Sequence, residues 1–462
     1  MKSLGKRSGL VDFGLKLITF ALWLGFASRT EGQTIEVLHS FDYTNGAGPG
    51  GGMILGVDGK LYGTTSQGGV FGKGTVFRFA SDSSFTTLAS FNGTNGAGPQ
   101  AESLRAADGN LYGITGAGGA MNYGTLFRVT TNGSLTTLVS FNVTNGSFPV
   151  AGLIQAADGN LYGTTLQGGV SNWGTVFQLK TNGLLATLFS FDLGTNGWQP
   201  HGELLQADDG YLYGTTSGGN GTVFQVSTNG ELSTLFEFDN SHTGPAPHGS
   251  APYTGLVQGS DGFLYGTTLL GGSNSAGTVF KISTNGTLTT LFSLNPNTAY
   301  NLNSLTRVTD GRLYGTSAGG GVFSFGTAFR IESSGQFSRL VSFNATNGGP
   351  EYPTGRLVQG PDGNLYGTTS KGGVYHGSGT SDTSYGTIFR IVLPVILTAS
   401  RSGEAIVLSW PMNAIGFGLQ SNDDLNSAAN WIDVTNPPAV FGTSFVVTNE
   451  ISFSPRFYRL KK

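Results

Sequence analysis

The tripeptide Leu-Tyr-Gly returns seven times, with its Tyr at positions 62, 112, 162, 213, 265, 314 and 366, at intervals of 50, 50, 51, 52, 49 and 52 residues. A period of this length marks an array of supersecondary units, because one unit cannot bury its own apolar face and must stack on a copy of itself. Each unit has four short stretches rich in Thr, Val, Leu, Phe and Tyr. In the second they are Glu102–Ala106, Leu111–Thr115, Gly124–Val129 and Leu135–Phe141. Such stretches are too short for helices and have the residue content of strands.

Turn chemistry sets the order of these strands. Asp-Gly follows the first strand of every unit, at Asp58, Asp108, Asp158, Asp209, Asp261, Asp310 and Asp362, and Thr-Asn-Gly separates the third strand from the fourth at Asn132, Asn182, Asn229 and Asn285. Both dipeptides suit tight hairpins whose central residues accept positive φ. The remaining connections are long, so an up-and-down sheet places every long loop on one face.

The ends of the array settle how it terminates. Ile35–Phe41 reads as a fourth strand that precedes the first unit, whereas the last unit stops after its third strand at Gly386–Ile391. An N-terminal strand that completes the last sheet leaves no open edge between the two ends. The expected architecture is all-β: a seven-bladed β-propeller over residues 34–392, closed by the N-terminal strand. The alternative, an open β-solenoid, gives no reason for the offset. Beyond Pro394 the repeat vanishes, and 395–462 reads as a small β-sandwich-like module with Trp410 and Trp431 in its core.

Composition narrows the function classes. Glycine supplies 76 of 462 residues, but 38% hydrophobic content spread along the chain is enough for a core, which argues against a disordered chain. A net charge of −3 offers no basic surface for nucleic acid. The absence of cysteine removes disulfides, thiolate metal sites and thiol nucleophiles. Lys2, Lys6 and Arg7, then the apolar run Leu17–Phe26 and the small residues Gly25 and Ala27, read as a signal peptide over 1–27, with an uncleaved anchor as the alternative. The expected mature chain is secreted or held at the cell surface, monomeric, and without a membrane span, metal or cofactor.

The repeated pattern is clearest in Asp158-Gly159-Asn160-Leu161-Tyr162-Gly163-Thr164-Thr165, Gly168-Gly169 and Gly174-Thr175-Val176-Phe177. It resembles the repeat of the GloVer tandem-repeat family, exported bacterial proteins of the choice-of-anchor type, over residues 34 to 392. The tail, with Leu408-Ser409-Trp410-Pro411 and Phe457-Tyr458-Arg459, is similar to C-terminal β modules of exported bacterial proteins. The resemblance implies secretion or surface attachment and no particular activity. The chain has no Leu-Pro-x-Thr-Gly sorting signal.

Residues present in every unit are expected to be scaffold; departures from the repeat are the site candidates. Trp173, Trp198, Tyr123 and Tyr253 fall in the long loops, where aromatic faces beside Asn, Thr and Gln could stack on sugar rings or cap gaps between sheets. Six residues before each Asp-Gly stand Gly52, Glu102, Gly152, Glu203, Gly255, Ser304 and Arg356, one structural position at the channel mouth. Glu102 and Glu203 are candidates for the carboxylate pair of a glycoside hydrolase. Arg356 and His201 are candidates for orienting an anionic sugar or abstracting a proton. His242 and His248 share a long loop but lack the carboxylates of a metal site. The loop Ser370–Tyr385 is the longest insertion and a candidate binding element. The expected function is a non-catalytic binding or structural module for polysaccharide or a cell-surface partner; the alternative is a polysaccharide hydrolase or lyase.

Overall fold

Four antiparallel strands per repeat form because Thr, Val, Leu and Phe alternate between two buried faces and hairpins join the strands on one side. The computed structural model describes residues 33–238, 246–346, 348–375, 384–395, 397–411, 417–423, 431–441, 444–450 and 456–461. The expected signal peptide, His242 and half of the Ser370–Tyr385 loop lie outside them.

The first repeat pairs Ile54–Leu55, Leu61–Thr65, Thr75–Phe79 and Phe85–Ser90 in chain order. The second to fifth repeats give the same four-stranded sheet, and the sixth adds a strand, Tyr300–Leu302. The last sheet joins Pro350–Gln359, Leu365–Gly372 and Thr387–Ile391 to Ile35–Ser40, the first described strand of the chain. Ile35 pairs with Ile391 and Ser40 with Thr387. The innermost strands are shorter than expected: Leu104–Arg105 rather than Glu102–Ala106. The preceding residues leave the ladder to bond the neighbouring sheet, as where Thr64 Oγ1 donates to the Ala101 carbonyl at 3.4 Å.

Consecutive sheets bury their faces against each other. Tyr62 and Val76 of the first sheet pack with Leu111, Phe127 and Val129 of the second, and the same layering recurs along the array. The last sheet returns to the first, where Tyr366 and Ile388 pack with Leu61, Phe77 and Phe79. A smaller interlock repeats as well. A Cβ on Gly74 would meet Pro99 Cδ at 2.8 Å, on Gly174 Pro200 Cδ at 2.7 Å, and on Gly386, across the seam, Pro49 Cδ at 2.8 Å. The seam thus uses the contacts found between repeats, and the array is a propeller-like ring.

Within each sheet the Gly of Leu-Tyr-Gly pairs across strands with the Phe of Gly-Thr-Val-Phe, as Gly163 with Phe177. The phenyl ring lies where a Cβ would be, 2.4 Å from it at Gly214 and 2.6 Å at Gly163. The Asp-Gly turns differ from the two-residue hairpins expected. Gly59 N–H donates to the Gly56 carbonyl at 3.1 Å and Gly56 N–H to the Lys60 carbonyl at 2.7 Å. Only the glycine is left-handed, with φ +73° at Gly59, which is a type I turn closed by a glycine bulge. The aspartate has another task. In all seven turns its carboxylate accepts from the Leu-Tyr-Gly hydroxyl, at 2.5 to 2.9 Å. Burial, then this bond, pushes the Tyr162 hydroxyl up to about 12.

The C-terminal residues form two sheets: Thr398–Ser402, Ala405–Pro411, Ser444–Glu450 and Ala439–Phe441 in one, and Ile432–Asp433, Gly418–Asn422 and Phe457–Lys461 in the other. Leu408, Trp410, Leu419 and Val447 are their buried core. Trp431 departs from its expected place there: it is half-buried under the Arg459 guanidinium, 4.3 Å from the ring centroid.

Two outcomes follow from this packing. Gly214→Ala forces Phe224 from its seat and costs about 1–3 kcal/mol, read as a lower urea midpoint with unchanged slope. In the closing strand, His39 stacks on Phe85 with ring centroids 4.0 Å apart, and burial, opposed by Asp42, pushes it from 6.5 down to about 4. The unfolded chain takes up a proton that the folded chain resists, so stability is lost as pH falls from 6.5 toward about 4. His39→Phe flattens that part of the urea-midpoint profile.

Candidate functional site

The residues that lead into the innermost strands bring one position of each repeat to the axis of the ring. There Arg356 Nε reaches Glu102 Oε2 at 2.5 Å, and Arg356 Nη2 reaches Glu203 Oε2 at 3.2 Å. Arg356 belongs to the last sheet, Glu102 to the second and Glu203 to the fourth. Contacts between sheets that are not neighbours in a ring run through its centre, so the three side chains cross the axial channel. Small residues elsewhere in the set clear their path. A Cβ on Gly52 would lie 2.9 Å from Glu102 Oε2, and one on Gly152 3.0 Å from Glu203 Oε1.

The carboxylates are largely withdrawn from water, with 11% and 18% of their side-chain surface exposed, against 34% for Arg356. Burial raises both carboxyls and Arg356 lowers them; the Glu203 charge adds to the rise at Glu102, which reaches about 7. The two acids therefore lie close together, as a hydrolytic pair requires. A glycosidase pair must leave room for the sugar and, in inverting enzymes, a water; here the guanidinium bonds both.

The other candidates divide. His201 is two residues from Glu203, but its ring packs on Tyr253, centroids 4.0 Å apart, and burial lowers its pKa; the hydrogen bonds and ion pairs of the axial cluster do not include it. Trp198 lies flat on a glycine pair, where a Cβ on Gly218 would be 2.1 Å from its Cδ1, and meets Trp173 edge-on at 6.0 Å. Both tryptophans pack on the core between the third and fourth sheets. Tyr123 meets Phe148 in the same way at 5.8 Å. These three rings wedge neighbouring sheets together, and Tyr253 alone of the four aromatic candidates is open, at 43%. His248 bonds Thr290 Oγ1 at 3.0 Å.

One recurring feature escaped the sequence reading. Immediately after the Gly-Gly pair, the loop between second and third strands carries apolar side chains into solvent: Phe71, Met121, Val170, Phe323, Val374 and Tyr375, with Val170 94% exposed. The loops fold outward, since the N–H groups of Val70, Ala120, Val322 and Val374 point to the Oγ of a serine on the outermost strand, at 3.2 to 3.5 Å. The tips therefore stand around the outer part of the long-loop face. Their signal was in the sequence as an apolar residue after each of several Gly-Gly pairs.

No curated protein matches the chain. Among solved structures it is similar to the periplasmic gluconolactonase of Pseudomonas aeruginosa, with 18% identity and a TM-score of 0.43, over 78% of this chain and 99% of that one. It is also similar to a Mycobacterium tuberculosis puromycin-hydrolyzing peptidase, at 10% identity and 0.48 over 81% and 60%. An extracellular domain assigned to a hybrid two-component system of B. thetaiotaomicron matches at 13% identity and 0.49, over 90% of this chain and 57% of that one. Likeness at this level bears on neither activity nor ligand. The model of the Gloeobacter/Verrucomicrobia repeat matches residues 25–220, 132–300 and 217–399. Those spans take in every Leu-Tyr-Gly copy, and the chain belongs to the Gloeobacter/Verrucomicrobia repeat family.

Proposed function

We propose that the chain is an exported, seven-bladed β-propeller with a small C-terminal β-sandwich-like module, and that it acts as a non-catalytic binding module for polysaccharide or a cell-surface component. The observation that carries this reading is the set of exposed apolar tips on one face. Apolar side chains cost free energy in water unless a partner covers them. Around the tips the sequence supplies Gly, Asn, Ser and Tyr with few charges besides Lys73 and Lys371, a chemistry suited to uncharged, hydroxyl-rich surfaces. Residues 1–27 direct export, and the C-terminal module serves attachment or export.

A screen of the full chain against insoluble and soluble polysaccharides tests the reading. Replacing Phe71, Phe323 and Tyr375 together by Ser abolishes retention and leaves the urea midpoint unchanged. Trp198→Ala lowers stability by about 3 kcal/mol through loss of its seat on Gly218. Retention unaffected by the triple substitution removes the loop tips as the binding surface.

The alternative, a polysaccharide hydrolase or lyase, draws on the meeting of Glu102, Glu203 and Arg356. Incubation with plant and algal polysaccharides decides it: the binding reading expects neither new reducing ends nor unsaturated products, and either product, abolished by Glu203→Gln, establishes the enzyme.

A further inference from the structure

The axial cluster joins parts of the ring that no neighbour-to-neighbour contact joins. Arg356 reaches past the first sheet to Glu102 and across the axis to Glu203. It also sits in the sheet that the N-terminal strand completes. Any opening at the seam displaces the last sheet from the first, so the Arg356 pairs to the second and fourth sheets resist the movement that would break the ring.

The cluster contains two carboxylates and one guanidinium, and the charged groups acting on them are one another. One guanidinium balances one carboxylate. The second is left with a charge that burial disfavours, and two acids sharing one cation titrate as a pair. Taking up one proton makes the cluster neutral without breaking the Arg356 bridge: Glu203 stays paired, and the protonated Glu102 carboxyl still offers an oxygen that accepts from Nε.

We propose that Glu102, Glu203 and Arg356 form a proton-holding lock across the axis that ties the seam-bearing sheet to the opposite side of the ring, so that closure of the ring responds to pH. The proposal is independent of what the long-loop face binds. Protonated, the lock is neutral and tight; deprotonated, it carries an excess negative charge and holds less well. Because Glu102 titrates at about 7 in the folded chain against 4.5 ordinarily, its contribution is complete below 4.5 and is lost as pH rises through about 7.

The test is the urea midpoint of the full chain from pH 4 to 9, for the wild type and for Glu102→Gln, Glu203→Gln, the double variant, and the double variant with Arg356→Met. The difference between the wild-type and Glu102→Gln profiles cancels the titrating groups outside the cluster, His39 included. It is expected to fall between pH 4.5 and 7 and to be flat elsewhere. Each single variant keeps one carboxylate for Arg356. The double variant leaves the guanidinium without a counter-charge, so its midpoint loss exceeds the sum of the singles, and adding Arg356→Met restores part of it. Parallel wild-type and Glu102→Gln profiles overturn the lock, as does an additive double variant. Should the double variant fail to fold, the Glu102→Gln profile alone decides.

Discussion

A phenyl ring standing in the place of a missing side chain sets the geometry of every repeat. Where Leu-Tyr-Gly pairs with Gly-Thr-Val-Phe, the Gly lets the Phe of the adjacent strand lie over the backbone, and in six of the seven repeats the Leu or Met ten residues before the Gly closes on the same spot. With the ring seated there, the Phe side chains of all seven repeats are completely buried. The apolar layers between sheets depend on this seat, and the layers in turn fix how far each sheet is turned from the last.

Polar groups inside this framework are paired with similar regularity, which is how a chain with 11% charged residues stays ordered. Thr65 and Thr75 share a hydrogen bond at 2.8 Å beneath the long-loop face, and equivalent hydroxyl pairs recur in the other sheets. On the opposite face the tyrosine–aspartate bond ties each turn to the strand beyond it. Buried hydroxyls without partners would cost about 1–3 kcal/mol each, so the recurrence of Thr and Tyr is as much a constraint as the recurrence of Phe. The axis carries a charged cluster of its own, where one arginine and two glutamates break the repeat.

Period, turn residues and the displaced fourth strand were legible because each is a local pattern repeated many times. Ile35 pairs with Ile391 as the count of strands implied. The partnership of Asp with Tyr was hidden because it depends on the turn's curling back four residues, which Asp-Gly alone does not specify. Position counting put Glu102, Glu203 and Arg356 at one position of the repeat; the ion pairs that join them depend on the glycines at 52 and 152, which leave their path clear. For the aromatics the sequence supplied loop positions but no depth: Trp173, Trp198 and Tyr123 fill wedges between sheets, whereas Phe71 and Phe323, embedded in what reads as scaffold, reach water.

The use of residues 35–40 as the outermost strand of the last sheet also governs the order of events as the chain is made. The segment that finishes the structure emerges before the other strands of the array and has no ladder to join until Thr387–Ile391 has followed it. Over that interval six sheets can assemble by pairing with what precedes them, but the two ends of the array remain open. Such distant pairing slows the final step, and the ribosome must release more than three hundred residues between Ile35 and Ile391 before the circle can be completed.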